Sequence, residues 1–371
     1  MRTVLVTVAI VLAACSATEP EPRPQWTPAQ AYEWYEGQPW LVGANFVPST
    51  AVNQLEMWQA ETFDEATIDR ELGWAADLGF DTVRVFLHDL LWSEDPEGFL
   101  ERVERFLTIA DSHGIGTMLV LLDGIWDPEP MLGPQPDPVP YVHNSRWVQS
   151  PGREILGDPS RHGELEGYVK GVIGHFRTDE RVVVWDLFNE GENANAAYAG
   201  EDLRPVDKSA RALELATLVF EWARAMDPSQ PITAGAFNFD TDAPEQLSAF
   251  NAYVLDESDV VTFHSYDPPA TLSALIALLE GYGRPIICTE YMARPLDSTF
   301  EGSLPIFKEQ GIGAYNWGLV VGRTQTNYHW LSWVAPGPDW ADPWFHDILH
   351  EDGTPYDEAE AALIREITGR E

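Results

Sequence analysis

Eight short apolar runs recur along the chain: Leu41–Phe46, Thr82–Leu87, Thr117–Leu122, Val182–Phe188, Ile232–Phe237, Val260–His264, Ile286–Thr289 and Ile312–Trp317. Each reads as a strand covered on both faces, because apolar residues follow one another instead of alternating with polar ones. Between most of them the spacing changes to that of a helix. Ile68, Leu72 and Ala75 recur at four and three, as do Phe99, Val103, Phe106 and Ala110, and Leu213, Ala216, Phe220 and Ala223. Such a stripe buries one helix face against a sheet. Weaker helical patterns lie near residues 164–177, 271–280, 300–310 and 355–367. Eight strand–helix repeats within residues 31–371 predict an α/β fold, a single-domain (β/α)8 TIM barrel whose chemistry gathers at the C-terminal ends of the strands. A doubly wound open sheet would alternate in the same way. The lack of a Gly-x-Gly-x-x-Gly or phosphate-loop pattern after the first strand weighs against it.

The first residues stand outside this pattern. Arg2 is followed by an apolar stretch, Val4 to Val11, and then by Leu12-Ala13-Ala14-Cys15. The stretch is too short to span a bilayer and reads as a signal peptide covering residues 1–14. The tetrad resembles a bacterial lipobox, which implies lipidation of Cys15, a tether over residues 15–30 rich in Pro and Glu, and a lipid-anchored extracytoplasmic location in the cell envelope. Without lipidation the protein is expected to be secreted. Cys288 is the remaining thiol, so processing leaves no pair for a disulfide, and a lone cysteine in an apolar strand is a core residue.

A net charge of −38 excludes one class of partner. A field of that sign repels phosphate backbones, so no nucleic-acid partner is expected. No His-Glu-x-x-His, Gly-x-Ser-x-Gly or twelve-residue calcium loop occurs, and neither metal nor cofactor is expected.

The chemistry sits at two strand endings one hundred residues apart: Trp185-Asp186-Leu187-Phe188-Asn189-Glu190 and Ile287-Cys288-Thr289-Glu290-Tyr291. Two carboxyl groups held on rigid strand ends across one cleft are what glycosidic-bond cleavage requires, one protonated and one ionised. Arg84, near the end of the second strand, would share that mouth and favour the charged form of a neighbouring carboxylate. Two long connections, 123–160 and 318–353, carry Trp126, Trp147, Trp330, Trp333, Trp340 and Trp344 and read as functional walls.

These residues carry a family resemblance. The Asn189-Glu190 segment resembles the fourth-strand signature of clan A glycoside hydrolases, and the Glu290 segment their seventh-strand nucleophile; the match is nearest to family 5, the cellulase–mannanase group. The resemblance implies Glu190 as acid/base and Glu290 as nucleophile. It also implies substrate-binding roles for Arg84, which steadies the nucleophile, Asn189, which holds the sugar 2-hydroxyl, His264 and Tyr266 of the sixth strand, and Trp317, the floor beneath the cleaved sugar. One departure is Asp123, where family 5 enzymes often carry a third-strand histidine; His88 is the nearest compensating candidate.

The expected activity is therefore retaining hydrolysis of β-glycosidic bonds in an oligo- or polysaccharide. A non-catalytic glycan-binding surface lipoprotein, or a transglycosidase using the same two glutamates, is the alternative. Retention requires carboxyl groups roughly 5–5.5 Å apart, inversion about 6.5–9.5 Å.

Overall fold

The computed structural model describes residues 22–194, 196–198, 207–240, 243 and 246–370. The expected signal peptide and Cys15 lie outside the described residues.

The eight runs are eight parallel strands: β1 Val42–Asn45, β2 Thr82–Phe86, β3 Gly116–Asp123, β4 Val182–Asn189, β5 Ile232–Gly235, β6 Val261–His264, β7 Ile286–Tyr291 and β8 Gly313–Trp317. Their order is β5-β4-β3-β2-β1-β8-β7-β6. The two ends of that series meet. Ala236 bridges to Phe263, and the His264 amide donates to the Ala236 carbonyl at 3.0 Å. This closure makes the sheet a barrel and rules out the doubly wound alternative.

At least one helix follows each strand, with a second, shorter one after β1, β2 and β3, and polar residues explain where most of the longer ones begin. Asp64, Asp95, Asp207, Ser248, Thr299 and Asp357 each accept a hydrogen bond from the first turn of the helix behind them. A side-chain oxygen there satisfies amides that the helix itself cannot. The predicted stripes face the sheet, with one shift: in Lys208–Ala225, Leu213 is half-buried, and Ala212, Leu215, Ala216 and Val219 form the covered face.

Inside the barrel the lowest layer is apolar. Met118, Val184, Ile287 and Tyr315 fill it, with Leu41 and Val260 from the strand approaches. Helix Pro28–Glu36 closes the floor below, Trp34 and Tyr35 packing on that layer and the Tyr35 hydroxyl donating to the Gly311 carbonyl at 2.9 Å. The chain reaches this helix along the floor, where Asp259 pairs with Arg23 at 2.6 Å and accepts from the Trp26 amide at 2.8 Å. Residues 23–30 of the expected tether therefore lie on the barrel. No helix among the described residues is long and apolar enough to cross a membrane.

β1 and β2 approach so closely that one position must lack a side chain. A Cβ on Gly43 would lie 1.7 Å from the Thr82 carbonyl oxygen. Gly43→Ala is expected to destabilise the barrel by about 3 kcal/mol, the upper range for overpacking a core. The midpoint of urea unfolding measures it, and an unchanged midpoint would contradict this strand register.

Candidate active site

Strict alternation along a strand cannot aim both Asn189 and Glu190 into the barrel mouth, because neighbours point to opposite faces. The register of β4 against β5 slips between Asp186 and Asn189, and Glu190 adopts a positive φ of 43°. Irregularities recur at Phe263/His264 and between Cys288 and Tyr291, beside His264 and Glu290. Bulges of this kind re-aim side chains at a cost in regular pairing. A left-handed backbone at a glutamate is strained and is held only by its surroundings. His264 reaches the mouth because Gly235 leaves room, its Nε2 lying 3.2 Å from where a Cβ would stand.

Arg84 is the hub. Wholly buried, it donates through Nε and Nη2 to Asp186 Oδ2 at 3.0 and 2.8 Å, through Nη1 to Asn45 Oδ1 at 2.8 Å and Glu290 Oε1 at 3.0 Å, and through Nη2 to Asn189 Oδ1 at 2.6 Å. A guanidinium this deep persists only where charge and donors are matched. Asp186 and Asn45 were not among the sequence candidates. A signal for Asp186 existed: a lone acid inside an apolar strand, two residues past Val184, mirrors the lone base Arg84 in its own strand.

The two glutamates converge. A carboxyl oxygen of Glu190, a ring nitrogen of His264 and a carboxyl oxygen of Glu290 all lie within 4.8 Å of one another. Their environments differ. Glu290 accepts from Arg84 and from the Tyr266 hydroxyl at 2.8 Å. Glu190 accepts from the Asn193 amide at 2.6 Å and pairs with His264 Nδ1 at 2.7 Å. Burial pushes the Glu190 carboxyl up to about 7, against weaker downward pulls from Asn193, Arg84 and Lys208. Burial also raises Glu290, and His264, Arg84 and Tyr266 pull it back while Glu190 pushes it up. Glu290 has a cation in contact and Glu190 has none, so Glu290 ionises first and Glu190 keeps its proton.

Burial lowers His264 to about 4, with Glu290 pulling upward, so the imidazole is neutral near pH 7 and its contact with Glu190 is a hydrogen bond. A neutral imidazole serves both forms of that carboxyl. Nδ1 accepts from the acid in one tautomer and donates to the carboxylate in the other.

Asn189 extends the network sideways. Its Nδ2 donates to Asp123 Oδ1 at 2.9 Å, and Asp123 Oδ2 accepts from the Trp147 indole at 2.6 Å and from Gln54 at 3.2 Å. Asp123 thus fixes the orientation of the Asn189 amide. Burial raises its carboxyl to about 7, partly offset by Asn189 and Trp147. His88 does not compensate for the missing third-strand histidine: it is buried and caps helix Asp89–Glu94, its Nδ1 accepting from the Leu90 amide at 3.2 Å.

All this opens into a cavity of about 930 Å³ lined by Glu190, Glu290, Tyr266 and Trp317 and walled by Trp126, Trp330 and Trp333. The two long loops form that wall together. Trp126 stacks on Trp333 at 5.2 Å, and His143 is tied to Ser332 and Tyr328 at 2.9 and 2.8 Å. The glutamates and His264 are also a donor set that could face a cation. The Arg84 guanidinium 3.0 Å from Glu290 already supplies positive charge there, which fits proton handling better than a divalent ion.

No family model matches the sequence, and no curated protein does. Solved structures share its fold. GH5_18 from Streptomyces cattleya, in complex with GlcNAc, superposes with a TM-score of 0.59 at 15% identity, covering 89% of this chain and 79% of that one. An exo-beta-1,4-mannosidase from Opitutaceae bacterium strain TAV5 gives 0.59 at 21% identity, covering 89% and 60%. A hyperthermostable endo-1,4-beta-D-mannanase from Thermotoga petrophila RKU-1 gives 0.54 at 16%, covering 89% and 99%. The likeness establishes the barrel.

Three buried carboxyl groups, Glu190, Asp123 and Asp347, are each raised to about 7. The unfolded chain loses those protons in the ordinary carboxyl range, so the folded protein holds more protons between about pH 4 and 7. Stability is present below that window and falls as pH rises through it, by on the order of 1 kcal/mol or more per group. Thermal unfolding should give a higher Tm at pH 5 than at pH 8; the reverse order would refute these assignments.

Proposed function

We propose that this protein is a retaining glycoside hydrolase of the clan A, family 5 type, cleaving β-linked glycans. The observation that carries the reading is a pair of carboxyl groups with oxygens within 4.8 Å, one against a guanidinium and one against a neutral imidazole. That closeness accords with the retaining class, whose carboxyl groups stand roughly 5–5.5 Å apart.

The chemistry follows from the contacts. Glu290, kept ionised by Arg84 and Tyr266, attacks the anomeric carbon while Glu190 gives its proton to the departing oxygen. A glycosyl ester on Glu290 results. Glu190, now a carboxylate accepting from His264 and Asn193, takes a proton from the water that releases the sugar. Asn189 has its oxygen committed to Arg84 and one amide hydrogen to Asp123, leaving the second hydrogen for a sugar hydroxyl. Trp317 and the loop tryptophans offer aromatic faces to pyranose rings. β-Mannosidic linkages head the list of substrates, since the similar structures include mannanases and a mannosidase.

The same reading anchors the mature chain through a lipid on Cys15. Residues 23–36 cross the floor, so the chain approaches the barrel from the end opposite the mouth. Cys15→Ala should move the protein from the membrane fraction to the soluble fraction; retention in the membrane would count against the anchor.

Hydrolysis is tested on β-mannan, β-glucan, xylan and galactan. Glu290→Ala should nearly abolish turnover, and azide should restore it with a glycosyl azide of inverted anomeric configuration. Unimpaired hydrolysis by that variant removes Glu290 from its role. Glu190→Ala should lower turnover by about 10²–10⁴-fold on substrates with poor leaving groups. The pH profile of kcat/KM should fall on the alkaline side near the Glu190 value of about 7, and Glu190→Ala should lose that limb.

A further inference from the structure

In a ring of eight strands β8 stands opposite β4. Glu190 follows β4, so the departing half of a substrate lies on the β4–β5 side, where Asn193, Phe237 and Asn238 line the cavity. The sugar presenting its anomeric carbon to Glu290 then lies over Trp317, at the end of β8. Its far, non-reducing end points past β8 towards β1 and β2.

That quarter of the mouth is shut by chain from three connections bonded to one another. After β1, Asn53 Nδ2 donates to the Arg146 carbonyl at 2.8 Å, and Gln54 Nε2 to the Val148 carbonyl at 2.9 Å. After β8, the Arg323 amide donates to the Ser49 carbonyl at 3.0 Å, and the Asn144 amide to the Thr324 carbonyl at 2.7 Å. Trp147, wholly buried, fills the corner edge-on to both Phe86 and Trp317, at 5.1 and 5.8 Å. Between Phe86, Trp147 and Trp317 lies a void of about 20 Å³, room for one water and far too little for a sugar ring.

The cavity on the near side of this wall carries polar atoms that have no partner among the described residues. His143 and His346 each hold Nδ1 on a backbone carbonyl, of Tyr328 at 2.8 Å and of Met292 at 2.6 Å. Both rings are neutral through burial, so Nδ1 donates and the Nε2 lone pair remains an acceptor. Asn144 lines the same cavity, buried, with neither end of its side-chain amide satisfied by a described residue. Buried polar groups of this kind are costly unless a ligand completes them.

We propose that the enzyme is exo-acting: the non-reducing terminus of a glycan enters this closed end, and a short product of one size leaves. The inference rests on the hydrolase reading, since Glu190 and Glu290 set the direction of the substrate. A cleft open at both ends would admit internal segments; this one ends at Trp147 and Trp317.

The test uses pentasaccharides of β-1,4-linked mannose, glucose and xylose and of β-linked galactose. Each carries a label at its reducing end and is compared with a counterpart whose terminal non-reducing sugar is capped by a 4,6-ketal, or by a 4-O-methyl group for xylose. Exo action gives one short unlabelled product from the first time point, stepwise shortening of the labelled chain, and at least a 100-fold loss of rate on capping. Labelled fragments of several lengths appearing together, or equal rates with and without the cap, would overturn the proposal and leave the hydrolase reading standing. Binding of the same sugars to the Glu190→Ala variant by calorimetry separates the two ideas. Preference for the uncapped sugar in a protein whose wild type hydrolyses none would support the closed end and overturn hydrolysis. A protein that neither cuts nor binds any of the four overturns both.

Discussion

A single guanidinium organises the interior of this barrel. Arg84 occupies a layer that is filled by branched apolar side chains in most barrels of this kind, and it survives there because Asp186, Glu290, Asn45 and Asn189 surround it with acceptors. Desolvating such a charge costs several kcal/mol, and truncating one partner would leave the others buried and unbalanced. The arrangement therefore fixes the ends of β1, β2, β4 and β7 relative to one another. It also sets apart two glutamates that burial alone would treat alike, since the cation contacts Glu290 and not Glu190.

Strain and irregularity concentrate where that network meets the mouth. The slips in register beside Asn189, His264 and Glu290, and the positive φ of Glu190, interrupt strands that are regular below. The floor supplies the rigidity that tolerates them. Its apolar layer is packed from below by helix Pro28–Glu36, and Asp259 ties the incoming chain to the strand starts through Arg23 and the Trp26 and Ile232 amides. Stability at the bottom and departure from ideal geometry at the top follow the division common to barrels of this architecture.

The loops above the mouth give the site its shape. Stacking of Trp126 on Trp333 and the ties from His143 and Asn144 join two connections that lie nearly two hundred residues apart in the chain. Together with the segment after β1 they make a wall over β8, β1 and β2, while on the β4–β5 side the cavity is lined by Asn193, Phe237 and Asn238. On the proposed reading that asymmetry gives the cleft a direction.

Much of this was legible in the residues themselves, because strands covered on both faces and helices with one covered face leave local signatures. All eight strands and seven of the helices follow the apolar pattern, though helix Ala249–Glu257 and the short helices Gln54–Trp58, Asp89–Glu94 and Arg153–Leu156 left no such signal. Arg84, Asn189, Glu190, His264, Tyr266, Glu290 and Trp317 stand out as polar or aromatic residues at strand ends. The structure gathers them round one mouth. Asp186, Asn45, Asn193 and the histidines of the wall went unread, since their meaning lies in what they touch across distant parts of the chain. Closure of the sheet between β5 and β6, the order in which the glutamates ionise, the orientation Asp123 imposes on Asn189 and the shutting of the β8–β2 side are likewise products of contact. Periodicity is a property of neighbours along the chain and fixes the elements. Protonation and access depend on neighbours in space, and only folding brings those together.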